Sequence, residues 1–452
     1  MENMFSPPGI TSSEDTVVGV VAGTALLIRY LYSFFFYMAL PVVFLRLLWR
    51  SRKEPVYRSN LLQRLGFGEP LSSHKLIWVH AVSAGETIAA TPLVLRLLSQ
   101  GYEVLMTNMT PTGRERAFGL LGRRVENRYA PYDTPGAVKR FLRLTNPRAL
   151  IIIDTELWPN MLHYAAARGV KTIVVNGRLS EKSTRGYQRI SALSVPMMTS
   201  IFRVAAQSEP QGRRFIALGL EELKLCVTGS TKFDVEHDKS PSAASELLGP
   251  SFHDRFVLVA ASTHHGEEEE MLKALTLLEK IVPDILLVLV PRHPYRAEEV
   301  LRLCKKSGFI TQKHSDGRAC DDATRVYLLD TMGELMAFFS MANAAFVGGS
   351  LAPTGGHNPM EPASFGVPVF MGPYIRNVSD IAQQFIDEGG MKIVHTALDL
   401  VEEIQLIQSS EAELQRRVEA LSRVMMRNKG ALDRVEKLVV QAMEQPTATI
   451  HR

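Results

Sequence analysis

A glycine-rich tract beside a carboxylate is the part of this chain best suited to chemistry. Gly348-Gly349-Ser350-Leu351-Ala352-Pro353-Thr354-Gly355-Gly356-His357-Asn358-Pro359-Met360-Glu361-Pro362 follows the apolar run Ala344 to Val347 and leads toward a helix predicted to start near Pro359. Glycines between a strand and a helix let backbone N–H groups approach an anion, and a helix start adds partial positive charge. Glu361, in the first turn, can take two hydroxyls of a ribose. A phosphate cradle beside a diol acceptor is what a nucleotide-sugar site needs. An ordinary Gly/Pro turn with Glu361 complementing the helix dipole uses the same residues. The run Ser364 to Phe370 reads as a second helix-to-strand passage, and that α/β context favours nucleotide binding.

Other candidate groups also stand where apolar runs end. His80-Ala81-Val82-Ser83-Ala84-Gly85-Glu86 follows Leu76 to Val79. A carboxylate at Glu86 can take a proton from an attacking hydroxyl if burial raises its pKa toward neutrality; a helix-start glutamate held by backbone donors is the plainer account. His80 and Ser83 are either orienters of Glu86 or turn and cap residues. Asp154-Thr155-Glu156-Leu157-Trp158 offers two carboxylates and a ring to a sugar, or a cap and a core tryptophan. Arg178 and Lys232 are cations at strand ends, suited to a phosphate or a sugar carboxylate or to a surface ion pair. His264-His265 precedes Glu267 to Glu270; the spacing is not that of two metal ligands on one helical face, and the glutamates complement a helix start. Arg292, within Pro291-Arg292-His293-Pro294, suits a phosphate, and the amides of Met332-Gly333-Glu334 suit a base edge or a phosphate.

These residues need a scaffold of alternating strands and helices, and the chain supplies one. Apolar runs at 76–79, 104–106, 150–153, 172–175 and 204–206 are separated by crossover-length segments, the pattern of a parallel sheet covered on both faces. The rhythm stops in a polar stretch at 237–254, resumes at Phe256, and continues to Phe370. Two doubly wound Rossmann-like domains of α/β class follow, at 51–236 and 255–430, with ligands expected at the carboxyl ends of the strands. Glu411 to Gln445 reads as one long amphipathic helix, and 431–452 is assigned as a C-terminal helix and tail.

The amino-terminal region differs in kind. After a tail at 1–16, residues 17–50 form an apolar anchor in which Tyr30 to Leu45 carry no charge and Arg29 must snorkel or face protein. Arg46, Arg50, Arg52, Lys53, Arg58 and Arg64 follow, placing the rest of the chain on the cytoplasmic side and attracting anionic lipid. The anchor is either a single-pass span or a monotopic helix. With 452 residues, 46% apolar and 22% charged, the chain is a folded multidomain protein, and a net charge of +4 gives no reason to expect nucleic-acid binding. Three scattered cysteines give neither a disulfide framework nor a zinc spacing.

Taken in order, His80-Ala-Val-Ser-Ala-Gly-Glu86, Thr155-Glu-Leu-Trp-Pro-Asn160, Pro291-Arg-His-Pro294, Met332-Gly-Glu-Leu335 and Gly355-Gly-His-Asn-Pro-Met-Glu-Pro362 resemble the 3-deoxy-D-manno-octulosonic acid (Kdo) transferases of lipopolysaccharide core synthesis. The likeness runs from the anchor to about residue 430. It implies a GT-B glycosyltransferase fold and inverting transfer of Kdo from CMP-Kdo to a lipid A precursor, without a metal or other cofactor, at a bacterial inner membrane. It further implies Glu86 as catalytic base and contacts to CMP from Pro291, Arg292, Met332, Gly333, Glu334, Asn358, Pro359, Met360 and Glu361. His80, Ser83, Glu156, Arg178 and Lys232 are candidate acceptor or donor-sugar contacts. The rival expectations are a GT-B enzyme using another nucleotide sugar, a sugar-nucleotide epimerase, and a non-catalytic membrane-tethered nucleotide sensor.

Overall fold

The computed structural model of the chain describes residues 13–52, 55–71, 73–234, 255–318 and 320–445, with side chains from Gly23 onward. The tail before Ser13 and the linker at 237–254 lie outside the described residues. Two compact units form, one from residues 1–235 with 428–452, the other from 236–427.

The first unit holds a seven-stranded sheet of β1 (Leu76–His80), β2 (Glu103–Asn108), β3 (Glu126–Tyr129), β4 (Ala149–Ile153), β5 (Lys171–Gly177), β6 (Arg203–Ala206) and β7 (Leu225–Val227), ordered β3-β2-β1-β4-β5-β6-β7. All of its pairings are parallel. β1 and β4 are buried along their whole length, as strands covered on both faces must be. The helices are α1 (Ser13–Arg50), α2 (Ala84–Ser99), α3 (Pro111–Leu121), α4 (Pro135–Thr145), α5 (Pro159–Ala166), α6 (Glu181–Arg189), α7 (Ser191–Ser200) and α8 (Glu209–Ile216). Their starts are written locally. Ser83, Thr110 and Thr134 accept from backbone N–H groups in the first turns of α2, α3 and α4, and prolines open α3, α4 and α5.

The second unit repeats the plan with β8 (Val257–Thr263), β9 (Leu286–Pro291), β10 (Thr311–Lys313), β11 (Val326–Leu328), β12 (Ala344–Val347), β13 (Val369–Met371) and β14 (Met391–Ile393), ordered β10-β11-β9-β8-β12-β13-β14. Its helices are α9 (Glu267–Leu278), α10 (Ala297–Lys306), α11 (Leu335–Phe339), α12 (Met360–Ser364), α13 (Ser379–Glu388), α14 (Ala397–Ser409) and α15 (Glu411–Asn428). In each sheet the order reverses beside the first strand, between β1 and β4 and between β8 and β12. An open crevice forms at such a point, so side chains just beyond those four strands are the ones placed to meet a ligand.

The carboxyl-terminal segment departs from its sequence reading. The chain breaks at Gly430, which takes a left-handed φ of 77°, and α16 (Ala431–Glu444) returns to the first unit. There Leu432, Val435, Val439, Ala442 and Met443 join the core against β4, β5 and α2. Asp234 accepts from Gly430 N and Leu432 N, and Arg96 pairs with Asp433 and Glu436. One long helix could not supply both this apolar face and the one α15 turns to the second unit.

α1 packs along the first unit on one face. Arg29 is buried, donating to Tyr164 Oη at 3.2 Å and to Asn160 Oδ1 at 3.4 Å, so it faces protein. Asn160 also donates to Ser33 Oγ, Gly136 N donates to Tyr37 Oη, and Phe36 and Phe44 pack on Tyr132. The opposite face, including Leu27, Phe34, Phe35, Met38, Val42 and Leu45, is exposed. Gly23–Arg50 is long and apolar enough to cross a membrane. Arg64 does not belong to the basic collar expected after it: its guanidinium is buried over the Tyr129 ring and donates to Met109 O.

Candidate active site

Beyond β1, Ser83 and Glu86 close a reciprocal cap. The Ser83 hydroxyl accepts from Glu86 N and donates to Glu86 Oε1 at 2.9 Å, while Val82 N donates to Oε2 at 2.6 Å. The plain helix-start geometry is therefore present, yet it does not settle the carboxyl's chemistry. Burial outweighs the two donors and pushes Glu86 up to about 7, and the carboxylates of Asp154 and Glu156 push the same way. Those two stand beyond β4, the neighbouring strand. Trp158 Nε1 donates to Glu156 Oε2 at 3.1 Å, and burial raises the Glu156 carboxyl too.

Asp154 is held at a positive φ of 59°, and among the described residues its buried Oδ1 has no partner, while Arg178 approaches Oδ2 at 3.4 Å. A non-glycine residue in that conformation is strained, and strain kept at a strand end beside an unsatisfied oxygen is typical of a functional site. The structure thus brings together Ser83, Glu86, Asp154, Glu156 and Arg178 from the residues that the sequence singles out.

His80 and Lys232 do not join them. The His80 ring is buried in the core with Nδ1 3.0 Å from Thr107 Oγ1, and burial lowers its pKa to about 4. No hydrogen bond links it to Glu86 among the described residues, so it cannot orient that carboxylate directly. Lys232 lies in the short turn Thr231–Asp234, whose Thr231 N donates to Asn176 Oδ1, and it makes no polar contact with Glu86, Asp154, Glu156 or Arg178. Trp158 packs edge-on against Phe36 of α1, a structural position rather than a sugar platform.

In the second unit a cavity of about 310 Å³ is lined by Ser262, Arg292, Gly333, Met336, His357, Asn358 and Glu361, among others. Glu361 opens α12. Asn358 Nδ2 donates to its Oε1 at 3.3 Å, and burial raises its carboxyl. Arg292 reaches the cavity from the end of β9, exposed and with its N–H donating to Thr263 O. Pro291, Pro359 and Met360 support these residues: Pro291 closes β9, Pro359 precedes α12, and Met360 is buried. Met332 is exposed away from the lining, and Glu334 is engaged by Thr331 and, at 3.1 Å, by His314 Nε2. Of that trio only Gly333 lines the cavity.

The glycine loop works differently from its sequence reading. Its amides are already occupied by the protein's own carboxylate. Glu267 Oε1 accepts from Ser350 N, Leu351 N and Ala352 N, and Oε2 accepts from Gly349 N and His264 N, at 2.7–3.2 Å. A Cβ at Gly348 would lie 2.8 Å from Glu267 Oε2 and 2.6 Å from Ser262 O, so the glycine is needed for this internal approach. The first-turn glutamates were expected only to complement a helix start. Glu267 and Glu268 are instead fully buried, the latter bound by Arg296 and Thr263. Sequence carries one hint of this, a run of four glutamates that begins just past a strand, after His264, His265 and Gly266.

Beside the loop, His264 Nε2 and His357 Nε2 lie 2.9 Å apart in stacked rings. Burial lowers both pKa values, that of His357 to about 4, and Arg292 adds to the effect. The pair is neutral at neutral pH and forms one wall of the cavity through His357.

The 3-Deoxy-D-manno-octulosonic-acid transferase (kdotransferase) family matches residues 59–235. A 3-deoxy-D-manno-octulosonic acid transferase of Haemophilus influenzae is 36% identical over 92% of this chain and 99% of its own length. One from Bordetella pertussis is 34% identical over 77% and 84%. Among solved structures, a UDP-GlcNAc 2-epimerase from Neisseria meningitidis superposes with a TM-score of 0.55 over 81% of this chain and 99% of that one at 13% identity, a likeness of fold alone. A two-sheet GT-B framework carrying these motifs in order, with relatives matched nearly end to end, makes the chain a member of the Kdo transferase family of glycosyltransferases.

Proposed function

We propose that the protein moves Kdo from CMP-Kdo to a hydroxyl of a lipid A precursor, with inversion, at the cytoplasmic face of a bacterial inner membrane. The observation that carries this reading, within the family, is the position of the Glu86 carboxyl just beyond β1, held by two donors beside Asp154 and Glu156, where burial pushes it up to about 7. A base of that pKa is ionised often enough at neutral pH to act and is basic enough to take a proton. The acceptor hydroxyl attacks the anomeric carbon of Kdo, its proton passes to Glu86, and the bond to the CMP phosphate breaks. Arg292 meets the charge left on that phosphate, while Asn358 and Glu361 hold the ribose. The amides of residues 349–352 are not part of this phosphate site, because Glu267 holds them. No metal is assigned a role, so chelators are expected to leave turnover unchanged.

Attachment through one leaflet fits α1 better than a span does. A helix gripped by protein from Arg29 to Phe44, roughly 22 Å of its length, has only its outer apolar face to give to lipid. Product mass spectrometry with purified protein, CMP-Kdo and a lipid A precursor tests the whole reading. A Kdo-bearing lipid is expected, and CMP released without any lipid product would overturn it.

A further inference from the structure

We infer that the first unit carries a binding site for the phosphate headgroup of an anionic bilayer lipid, between α4 and α5 on the flank of α1. The inference rests on the one-leaflet attachment proposed above. A cavity of about 560 Å³ opens there, lined by Gly136, Lys139, Arg140, Arg143, Tyr164 and Arg168, with Ala167 at its edge. Every charged side chain in that lining is a cation. Among the described residues no carboxylate forms an ion pair with Lys139, Arg140 or Arg143, although ion pairs are frequent elsewhere on this surface.

Lys139 and Arg140 are held by neutral partners instead. Lys139 Nζ sits 4.7 Å from the Tyr164 ring centroid, and the Arg140 guanidinium lies over Phe67 and donates to Leu65 O. Such contacts orient positive charge without neutralising it, which suits a site whose anion comes from outside. α4 and α5 begin at the carboxyl edge of the sheet, whereas Arg143 and Arg168 lie toward their far ends. The cavity is therefore separate from the Glu86 cluster.

Its position selects the ligand. Tyr37 of α1 accepts from Gly136 N at the mouth, and the Tyr164 hydroxyl is bonded to Arg29 of α1. The same helix turns Phe34, Phe35 and Met38 outward. On the other side of α5, a groove of about 410 Å³ lined largely by apolar residues such as Leu26, Leu193, Pro196 and Met197 shares Ala167 with this cavity. A cationic cavity between an exposed apolar helix face and an apolar groove lies where headgroups meet acyl chains, so its anion is a lipid phosphate rather than a free one.

The full chain is tested on vesicles of phosphatidylcholine with and without phosphatidylglycerol. Each cation near an anionic surface should contribute roughly fivefold in partitioning. Arg143→Gln should lose about fivefold, and Lys139→Gln/Arg143→Gln/Arg168→Gln about a hundredfold. Both losses should appear only on phosphatidylglycerol vesicles, with unchanged melting temperature. A charge-matched triple in the second unit, Arg302→Gln/Lys305→Gln/Lys306→Gln, should lose far less; an equal loss would mean diffuse attraction and would overturn the site. Inorganic phosphate should not displace the protein at matched ionic strength, and displacement would overturn the choice of a lipid phosphate. Phe34→Asp/Met38→Asp should abolish binding to both vesicle types. If wild-type protein bound neither type, the membrane attachment itself would be wrong, an outcome distinct from loss of the phosphatidylglycerol increment alone.

Discussion

Replacing Glu267 by glutamine should uncouple the donor loop while leaving the sheet beneath it intact. The carboxylate accepts five backbone N–H groups, three on Oε1 and two on Oε2. Glutamine retains one oxygen, and its better orientation keeps the three donors from Ser350, Leu351 and Ala352. Its NH₂ group then faces His264 N and Gly349 N, so two donors lose their acceptor and confront another donor. An unsatisfied buried group costs about 1–3 kcal/mol, which gives roughly 2–6 kcal/mol for the pair. That is less than the roughly 5–15 kcal/mol holding a typical domain together, so the loop should loosen before the unit unfolds. Asn358 and Glu361 follow this loop in the chain, and CMP would then have to order it on binding. Affinity for CMP, measured by titration calorimetry, should fall at least about thirtyfold if only the lower figure is charged to binding. Glu269→Gln, in the same helical turn but without a bond to the loop, is the control and should bind normally. Glu267→Ala leaves space among five N–H donors, and added formate should restore part of the affinity. The argument fails if Glu267→Gln binds CMP with wild-type affinity and melts at the wild-type temperature.

The Glu86 base must be ionised to act, so log kcat/KM should rise with pH up to about 7 and then level, and Glu86→Gln should lower turnover by about 10²–10⁴ and abolish that limb. An unchanged profile in the glutamine variant would make Glu86 structural. Arg292→Ala and Glu361→Ala should each weaken CMP binding about tenfold or more, by the value of one charge-assisted hydrogen bond; calorimetry with CMP alone reads this without turnover. Truncation after Lys429 strips Leu432, Val435 and Val439 from the first core at about 1.5–3 kcal/mol each, so the first unit should lose its cooperative melt, and a retained melt would show α16 to be dispensable.

The architecture was legible because it rests on local signals. Buried strands such as Leu150 to Ile153 are apolar without interruption, and Ser83, Thr110 and Thr134 announce the helices that follow them. The residues at the reversal points were legible too, since they directly follow apolar runs. What stayed hidden depends on contacts far apart in the chain. Arg64 looked like part of a solvated basic collar because its neighbours are basic, but the carbonyl of Met109, 45 residues on in sequence, and the more distant Tyr129 ring bury it. His80 stands near Glu86 in sequence, yet strand alternation sends its ring to the opposite side, against Thr107. The break at Gly430 followed by α16's return was illegible for a related reason: amphipathic periodicity reports that a face is buried, not which core buries it.

Glu86 and Glu267 show most clearly where sequence reasoning ends. Each follows a strand, each opens a helix, and each admits the same modest account as a complement to the helix dipole. The fold separates them by counting donors. Glu267 receives five N–H groups and no carboxylate opposes it among its bonded neighbours, so its charge is consumed in holding residues 349–352 in place. Glu86 receives two donors, too few to offset its burial, and Asp154 and Glu156 add repulsion. The first is a fixed anion that replaces a bound one in a loop shaped like an anion site. The second is kept short of partners, and that shortage makes it a base able to take a proton near neutral pH. Adding donors to Glu86 should therefore harm catalysis even with the carboxylate retained: a cation introduced by Glu156→Lys should lower the Glu86 pKa and shift the pH limb to the acid side. A limb that stayed at about 7 in that variant would mean that a group other than Glu86 sets it.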